Sequence, residues 1–491
     1  MPPARDDPEA RAQRERDAAE LGRFGYAQRL VREMGGFESF ALSFSIISVL
    51  TGAVTLYGHG LRFGGPLEMT LGWPLVTLLT LPIAASLAQL ASSFPTAGAL
   101  YHWAALLGGP GWGYATAWLN TVGQFAITAG IDYGLAEFVC GMLGLPTTGA
   151  GRWRVLAVFV AILASHGALN HVGVRAVAVL SRASAYYHLA GCALLAAALG
   201  LFAPHQPAAF LLTPFTSAGH PYAYGFLVGL LQAGWTFTGY DASAHVSEET
   251  VDPTRNAPRG ILLSVAVSGV AGYVMLLAVT LCIPDLAAIA AADNPFIAVL
   301  EGALGVIGRS LVWMVLGAMW FCGLSSVTSN SRMLYAFARD GGPPGSSWLA
   351  RVSPRFRTPA AAVWVSVLAA LGVALWSEAY TAMVALSTLA LCASYALPIA
   401  LGLRARRSGA WRHRGPFDLG RFSTVANLLA LGWTAVMTVL FVLPPNLLAG
   451  YTFAAALLTI ALAWGLFARH RFRGPRVQLV EEEAAQAAVG R

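Results

Sequence analysis

The stretch Gly234-Trp235-Thr236-Phe237-Thr238-Gly239-Tyr240-Asp241-Ala242-Ser243 sets two glycines and a carboxylate inside a segment otherwise apolar enough for a lipid bilayer. Glycine weakens a helix by about 1 kcal/mol relative to alanine. An ionisable side chain at bilayer depth costs about 3 kcal/mol on insertion scales. Irregular, polar backbone is tolerated at that depth where it lines a cavity. The stretch therefore reads as one wall of a small-molecule site.

A second interruption, Ser48-Val49-Leu50-Thr51-Gly52-Ala53-Val54-Thr55-Leu56-Tyr57-Gly58, clusters small and hydroxylated residues at the middle of the first apolar segment. Paired interruptions at corresponding places in two halves of a chain point to a transporter site at an inverted-repeat interface. An unwound turn frees backbone groups. The N-terminal end of one half-helix can then hold a carboxylate while carbonyls of the other hold an amine. Amino-acid-like substrates fit that chemistry.

The elements that carry these stretches are membrane spans. Of 491 residues, 56% are hydrophobic and 11% charged, against about 25% charged in soluble domains. The mean hydropathy is +0.61. Twelve segments approach the length of about 20 apolar residues that a bilayer requires. They are Phe37 to Leu61, Leu71 to Ser93, Gly111 to Met142, Val155 to Leu169, Val174 to Phe202, Tyr222 to Val246, Ile261 to Ile283, Leu311 to Phe337, Ala360 to Trp376, Thr381 to Leu403, Thr424 to Leu443 and Tyr451 to Ala468. The expected fold is an all-α polytopic membrane protein.

All 31 basic residues are arginine. With both termini placed in the cytoplasm, 27 of them fall inside and four, Arg62, Arg152, Arg154 and Arg309, fall outside. That bias supports an even number of spans and this orientation. It also accounts for the net charge of +7 without nucleic acid. Residues 1–34 read as a cytoplasmic tail, partly disordered before Tyr26, with no apolar core that would make a cleavable signal peptide. Residues 471–491, with Glu481, Glu482 and Glu483, read as a second solvated tail. The five cysteines lie far apart in apolar runs and read as packing residues.

Other polar residues fall inside spans. His188 stands in span five, either satisfied by a neighbouring carbonyl or facing the bundle and titrating. Asn120 and Gln124 share a face of span three and either border the site or bond across helices. Asp132 shares that span. Glu137 is expected to be solvated near its outer end, and His166 and His171 to sit at the interface beside span four. Glu248 and Glu249 close span six, where a gate or a salt bridge to Arg255 or Arg332 is expected. The loop Phe94-Pro95-Thr96-Ala97-Gly98-Ala99-Leu100-Tyr101-His102-Trp103 combines a turn with a short helix lying on the bundle.

The chain resembles the amino acid, polyamine and organocation superfamily of secondary transporters, most closely its amino acid/choline and GABA permease branch. The resemblance rests on Phe44 to Gly52, Phe94 to Trp103, Phe237 to Thr250, Pro253-Thr254-Arg255-Asn256-Ala257-Pro258, Ser329-Asn330-Ser331-Arg332 and Ala338-Arg339-Asp340-Gly341. It implies a leucine-transporter-like fold with spans one to five (35–202) and six to ten (203–404) as inverted repeats. Spans eleven and twelve (405–470) would be peripheral. It implies that Thr51, Gly52 and Ala53 meet a substrate carboxylate, that carbonyls near Phe237 and Thr238 beside Gly239 meet its amine, and that Trp235 gates the site. Asp241 takes the place of an acidic residue in several relatives. His188 resembles in position a span-five lysine that replaces sodium in some of them, so His188 and Asp241 are the proton-coupling residues expected. Sodium symport, with Ser325, Ser326 and Thr328 as ligands, is the alternative within this fold, and a non-transporting membrane sensor is the alternative outside it. No His-Glu-x-x-His, Gly-x-Ser-x-Gly or P-loop motif occurs, so neither an enzyme nor an ATP-driven pump is expected. No cofactor or resident metal is expected either.

Overall fold

The computed structural model describes residues 8–217, 219–376 and 380–475. The expectations for residues 1–7 and for the tail beyond 475 lie outside the described residues. Among the described residues the regular structure is helical, with an isolated bridge between Met34 and Thr250. Ten helical runs among the described residues are long and apolar enough to cross a membrane. The interrupted segment from Tyr222 to His245 and the helix Ala360–Trp376 occupy the remaining two apolar stretches. The chain is an all-α polytopic membrane protein.

Burial divides the helices. The most apolar windows of spans one, three, eight and ten are between 72 and 89% buried, whereas that of span twelve, Leu447–Leu466, is 11% buried. Apolar side chains on span twelve therefore face outward, where lipid can solvate them, and the polar-bearing helices form the middle. Close packing there uses small residues, as helices in lipid require. A methyl built on Gly123 of span three would lie 2.7 Å from Leu391 Cγ of span ten.

The N-terminal segment differs from the tail expected. Residues Pro8–Arg23 form a helix, and Leu21, Phe24, Tyr26, Leu30 and Met34 are buried. Phe24 packs edge-on against Phe94 with centroids 6.2 Å apart, and the Asp252 amide donates to Asp17 Oδ2 at 3.0 Å. Apolar residues spaced along an otherwise charged run give the segment a face to bury, and the bundle supplies the surface.

Beneath this segment lie buried ion pairs. Arg332 grips Glu249 through Nε at 2.9 Å and a terminal nitrogen at 3.2 Å, with both side chains fully buried. Arg339 grips Glu248 at 2.9 Å through each terminal nitrogen, and its guanidinium lies 3.7 Å over the Tyr26 ring. Of the two partners expected for the glutamates, Arg332 takes Glu249, while Arg255 pairs with Asp252 at 3.3 Å. The loop 94–98 and the helix Ala99–Gly108 are wedged in the same layer instead of lying on its surface. Burial pushes the His102 imidazole down to about 3, so the ring is neutral where it meets the Thr96 hydroxyl at 2.8 Å.

Removing one partner of a buried pair strands the other charge, at a cost of about 3–5 kcal/mol. Arg332→Met is therefore expected to lower the unfolding temperature of the detergent-solubilised protein clearly. Adding Glu249→Leu should restore much of the loss, and a double variant as unstable as the single one would show that the pair is not coupled.

Candidate functional site

Both interrupted spans are broken in the structure, and the breaks face each other. In span one the residue that leaves helical geometry is Ser48, with φ 31° and ψ 84°, between helices Gly36–Ile47 and Val49–Thr55. This is three residues before the turn expected at Thr51. The Thr51 and Gly52 amides both donate to the Ser48 carbonyl, at 2.7 and 2.9 Å, so these residues stand in the first turn of the second half-helix. In span six the helix Leu231–Thr236 ends, and Ala242–His245 resumes after the glycine turn. Gly239 has φ +82°, and a methyl there would fall 2.2 Å from Ile46 of span one.

A second close contact across the breaks is at Gly52, where a methyl would lie 2.4 Å from Thr236 Oγ1 and 2.8 Å from Thr236 Cα. Between the broken spans lies a chamber of about 10 Å³ lined by Ile46, Ile47, Thr51, Gly52, Ile127, Ile131, Trp235, Thr236 and Cys322. That is room for a single water molecule. Thr51, Gly52 and Trp235 thus meet at one place. Ala53 does not line the chamber, and its carbonyl accepts from Gln232 Nε2 at 2.8 Å. Phe237 turns away to pack against Trp73, with centroids 4.9 Å apart, and the Thr238 hydroxyl donates to the Trp235 carbonyl at 2.6 Å.

Asp241 is fully buried beside the break and holds three elements together. Tyr395 of span ten donates to Oδ1 at 2.9 Å, and its hydroxyl also accepts from the Gly239 amide at 3.1 Å. Asn120 of span three donates to Oδ2 at 3.3 Å, and His245 Nε2 meets the same oxygen at 3.1 Å. The other imidazole nitrogen of His245 reaches the Ala97 carbonyl at 3.2 Å, while the Ala97 amide donates to Glu248 Oε1 at 3.1 Å. A continuous polar chain therefore runs from the glycine turn to the buried ion pairs. Gln124, one turn beyond Asn120, goes instead to Ser329 Oγ at 3.1 Å.

His188 is buried and sits at the other break. Its Nε2 lies 2.7 Å from Ser48 Oγ, and its Nδ1 lies 2.8 Å from the Ser184 carbonyl. Ser48 Oγ is in turn 2.6 Å from Thr51 Oγ1. On span eight, Ser326 bonds Thr128 at 2.7 Å, and Thr328 donates to Asn170 Oδ1 at 2.8 Å, so these two hydroxyls are directed to spans three and four. Ser325 is buried beside them.

Two readings of span four and span three need correction. His166 is not at an interface: it is fully buried, with Nδ1 3.1 Å from Asp132 Oδ2. The pair fits because Gly323 of span eight leaves space, a methyl there falling 1.9 Å from Asp132 Oδ1. Glu137 is partly buried instead of freely solvated. His171 does lie near the helix end, accepting from Trp364 Nε1 at 3.1 Å. All five cysteines are buried and free.

The bundle is closed on the face that carries the N-terminal segment. On the opposite face a vestibule of about 450 Å³ opens between Thr55, His59, Arg62, Asp293, Asn294, Tyr380 and Asn446, among others. Its floor residue Tyr380 packs edge-on against Trp235, with centroids 6.2 Å apart, and Trp235 closes the chamber below. Tyr395 and Asn170 were missed by sequence reasoning, and Ser48 was named only as the first residue of the interrupted stretch. Each is one hydroxyl or amide in an apolar helix, and only the fold reveals that Ser48 and Tyr395 meet a break while Asn170 bonds span eight.

Residues 34–465 match the family model described as amino acid permease. The chain belongs to the amino acid permease family. An amino-acid permease BAT1 homolog of Oryza sativa subsp. japonica is 38% identical over 94% of this chain and 96% of its own length. Amino-acid permease BAT1 of Arabidopsis thaliana is 37% identical over 93 and 95%. A GABA-specific permease of Saccharomyces cerevisiae is 27% identical over 86% of this chain and 77% of its own length. The permease is thus an amino acid transporter by family, not an enzyme.

The contact at Gly52 makes a direct test. Gly52→Ala forces span one off Thr236, an overpacking of about 1–3 kcal/mol, and is expected to lower uptake sharply. Gly432→Ala in span eleven, with open space around it, should leave uptake and unfolding temperature near wild type. Equal behaviour of the two variants would show that the broken helices do not meet as described.

Proposed function

We propose that this permease is a secondary transporter of an amino acid or a related amine, of the GABA, choline or polyamine type, working by alternating access. The observation that carries the reading is the apposition of two helix breaks around a chamber closed by Trp235. Thr51 and Gly52 then contact the substrate carboxylate from span one, with Ala53 held behind them. Phe237, Thr238 and Gly239 contribute the turn that receives the amine. Spans one to five (35–202) and six to ten (203–404) act as the two repeats. The arginine bias supports a cytoplasmic position for the sealed face, in a cell membrane, with the vestibule outside.

Transport is coupled to protons or runs as exchange. His188 occupies the polar pocket at the Ser48 break, where a second cation would meet an imidazole that becomes cationic on protonation. The engagement of Ser326 and Thr328 with spans three and four supports the same choice over sodium symport. Asp241, with three donors on its carboxylate, acts as a brace that ties the span-six turn to spans three and ten. Asn120 serves that brace, and Gln124 holds span eight.

Uptake of labelled amino acids, GABA, choline and polyamines into proteoliposomes tests the reading. No flux with any of them under a pH gradient would sink it. Replacing sodium by N-methylglucamine is expected to leave uptake unchanged. Asp241→Asn keeps an acceptor for Tyr395 but turns an amide towards Asn120 and His245. It should therefore reduce uptake about tenfold or more, as the loss of a hydrogen bond to a charged group, worth about 1.5–3 kcal/mol, predicts.

A further inference from the structure

Glu68 is fully buried, and neither of its carboxyl oxygens has a hydrogen-bond partner. It opens a five-residue π-turn, Glu68–Gly72, between spans one and two, a local geometry frequent at functional sites. Glycines make room for it. A methyl on Gly60 would fall 2.6 Å from Oε2, one on Gly72 2.8 Å from Oε1, and one on Gly64 2.4 Å from Cβ.

A polar atom of span six beside the same glycine is equally unsatisfied. Gln232 is buried and its Oε1 has no partner. The same methyl on Gly60 would lie 2.7 Å from that oxygen, so the carboxyl and the amide oxygen press against one side of one glycine. The amide cannot turn its nitrogen to Glu68 without giving up the bond from Nε2 to the Ala53 carbonyl. Three acceptor atoms thus converge with no donor.

The ionisable groups on the surrounding elements are engaged elsewhere. Tyr57 bonds Thr280 at 3.1 Å, and Tyr222 donates to the Gly64 carbonyl at 3.0 Å. His59 meets the Val228 carbonyl at 3.0 Å, and Arg62 donates to the carbonyls of Ala290 and Ala292 at 2.7 Å each. None of these bonds reaches Glu68. The missing donor must come from outside the side-chain set.

We propose that Glu68 and Gln232 form a proton-binding site, in which a proton taken up by the Glu68 carboxylate is donated to Oε1 of Gln232. The O–H bond formed on the carboxyl replaces one broken on a hydronium ion, which leaves as water, and the vestibule on the same helix, lined by His59 and Arg62, is the route of entry. When the proton leaves, two acceptors are left side by side at Gly60. The Gln232 amide is then driven off the Ala53 carbonyl, which adjoins Thr51 and Gly52 at the chamber. Proton occupancy is thereby linked to the span-one turn.

This assignment rests on the transport reading above. The test uses the full chain in proteoliposomes, wild type against Glu68→Gln, which holds the neutral shape permanently. Wild type should accumulate substrate about tenfold per unit of imposed pH gradient for one proton per substrate. Glu68→Gln should accumulate none above equilibrium, and its exchange of labelled for unlabelled substrate should no longer depend on pH. Gradient-driven accumulation by Glu68→Gln equal to wild type would overturn the assignment. So would a variant that neither exchanges nor keeps its unfolding temperature, since that marks a packing role. Accumulation driven by a sodium or potassium gradient and lost in the variant would assign the site to a metal cation and overturn the proton. Infrared difference spectra on acidification supply a readout free of transport: a protonated-carboxyl band in wild type that is absent from Glu68→Gln. A wild type that shows the band but moves no substrate would refute the transport reading and leave the proton site standing.

Discussion

A helix broken inside a bilayer exposes backbone groups that lipid cannot satisfy, and this constraint governs the middle of the permease. The two breaks solve it jointly. Ser43 of span one donates to the Tyr240 carbonyl at 2.8 Å and accepts from the Ser243 amide at 2.9 Å, so residues before one break serve the backbone after the other. Tyr395 does the same for Gly239. Side chains of spans one and ten thus supply partners for backbone groups that the break in span six would otherwise leave unpaired.

The two faces of the molecule differ for electrostatic reasons. On the sealed face, Arg332 and Arg339 each have a carboxylate matched in two contacts, geometry that lets buried charge persist in a low-dielectric setting. On the other face Arg62, held by the Ala290 and Ala292 carbonyls, and the exposed Asp293 border an open vestibule. The polar chain through Asp241, His245, Ala97 and Glu248 joins the glycine turn of span six to the ion pairs of the sealed face.

Most of the architecture was legible because its causes are local. Apolar length marks the spans, and glycine beside Asp241 marks the break in span six. The break in span one was read three residues late, since Ser48, Thr51 and Gly52 are all small and only the left-handed backbone at Ser48 separates them. His166 looked interfacial because its partner, Asp132, and the space provided by Gly323 come from two other spans. Glu68 fell in the apparent connection between spans one and two, Leu61 to Leu71, where a carboxylate is unremarkable. Helix runs into that connection on both sides of a kink at Gly65, where φ is +68°, and the π-turn after it carries Glu68 inward. Tertiary partners, not residue type, decide these cases.

The clasp of the N-terminal segment has a consequence in time. Tyr26 bonds Asp340, 314 residues later, and the Asp252 amide meets Asp17 across 235 residues. Such pairings close large loops, and non-local contacts form late. During synthesis the segment 8–34 must therefore wait, with Leu21, Phe24 and Tyr26 unburied, until spans six and eight are in place. The seal can close only once the chain has been made as far as Asp340, so its closure reports that spans one to eight are present beneath it.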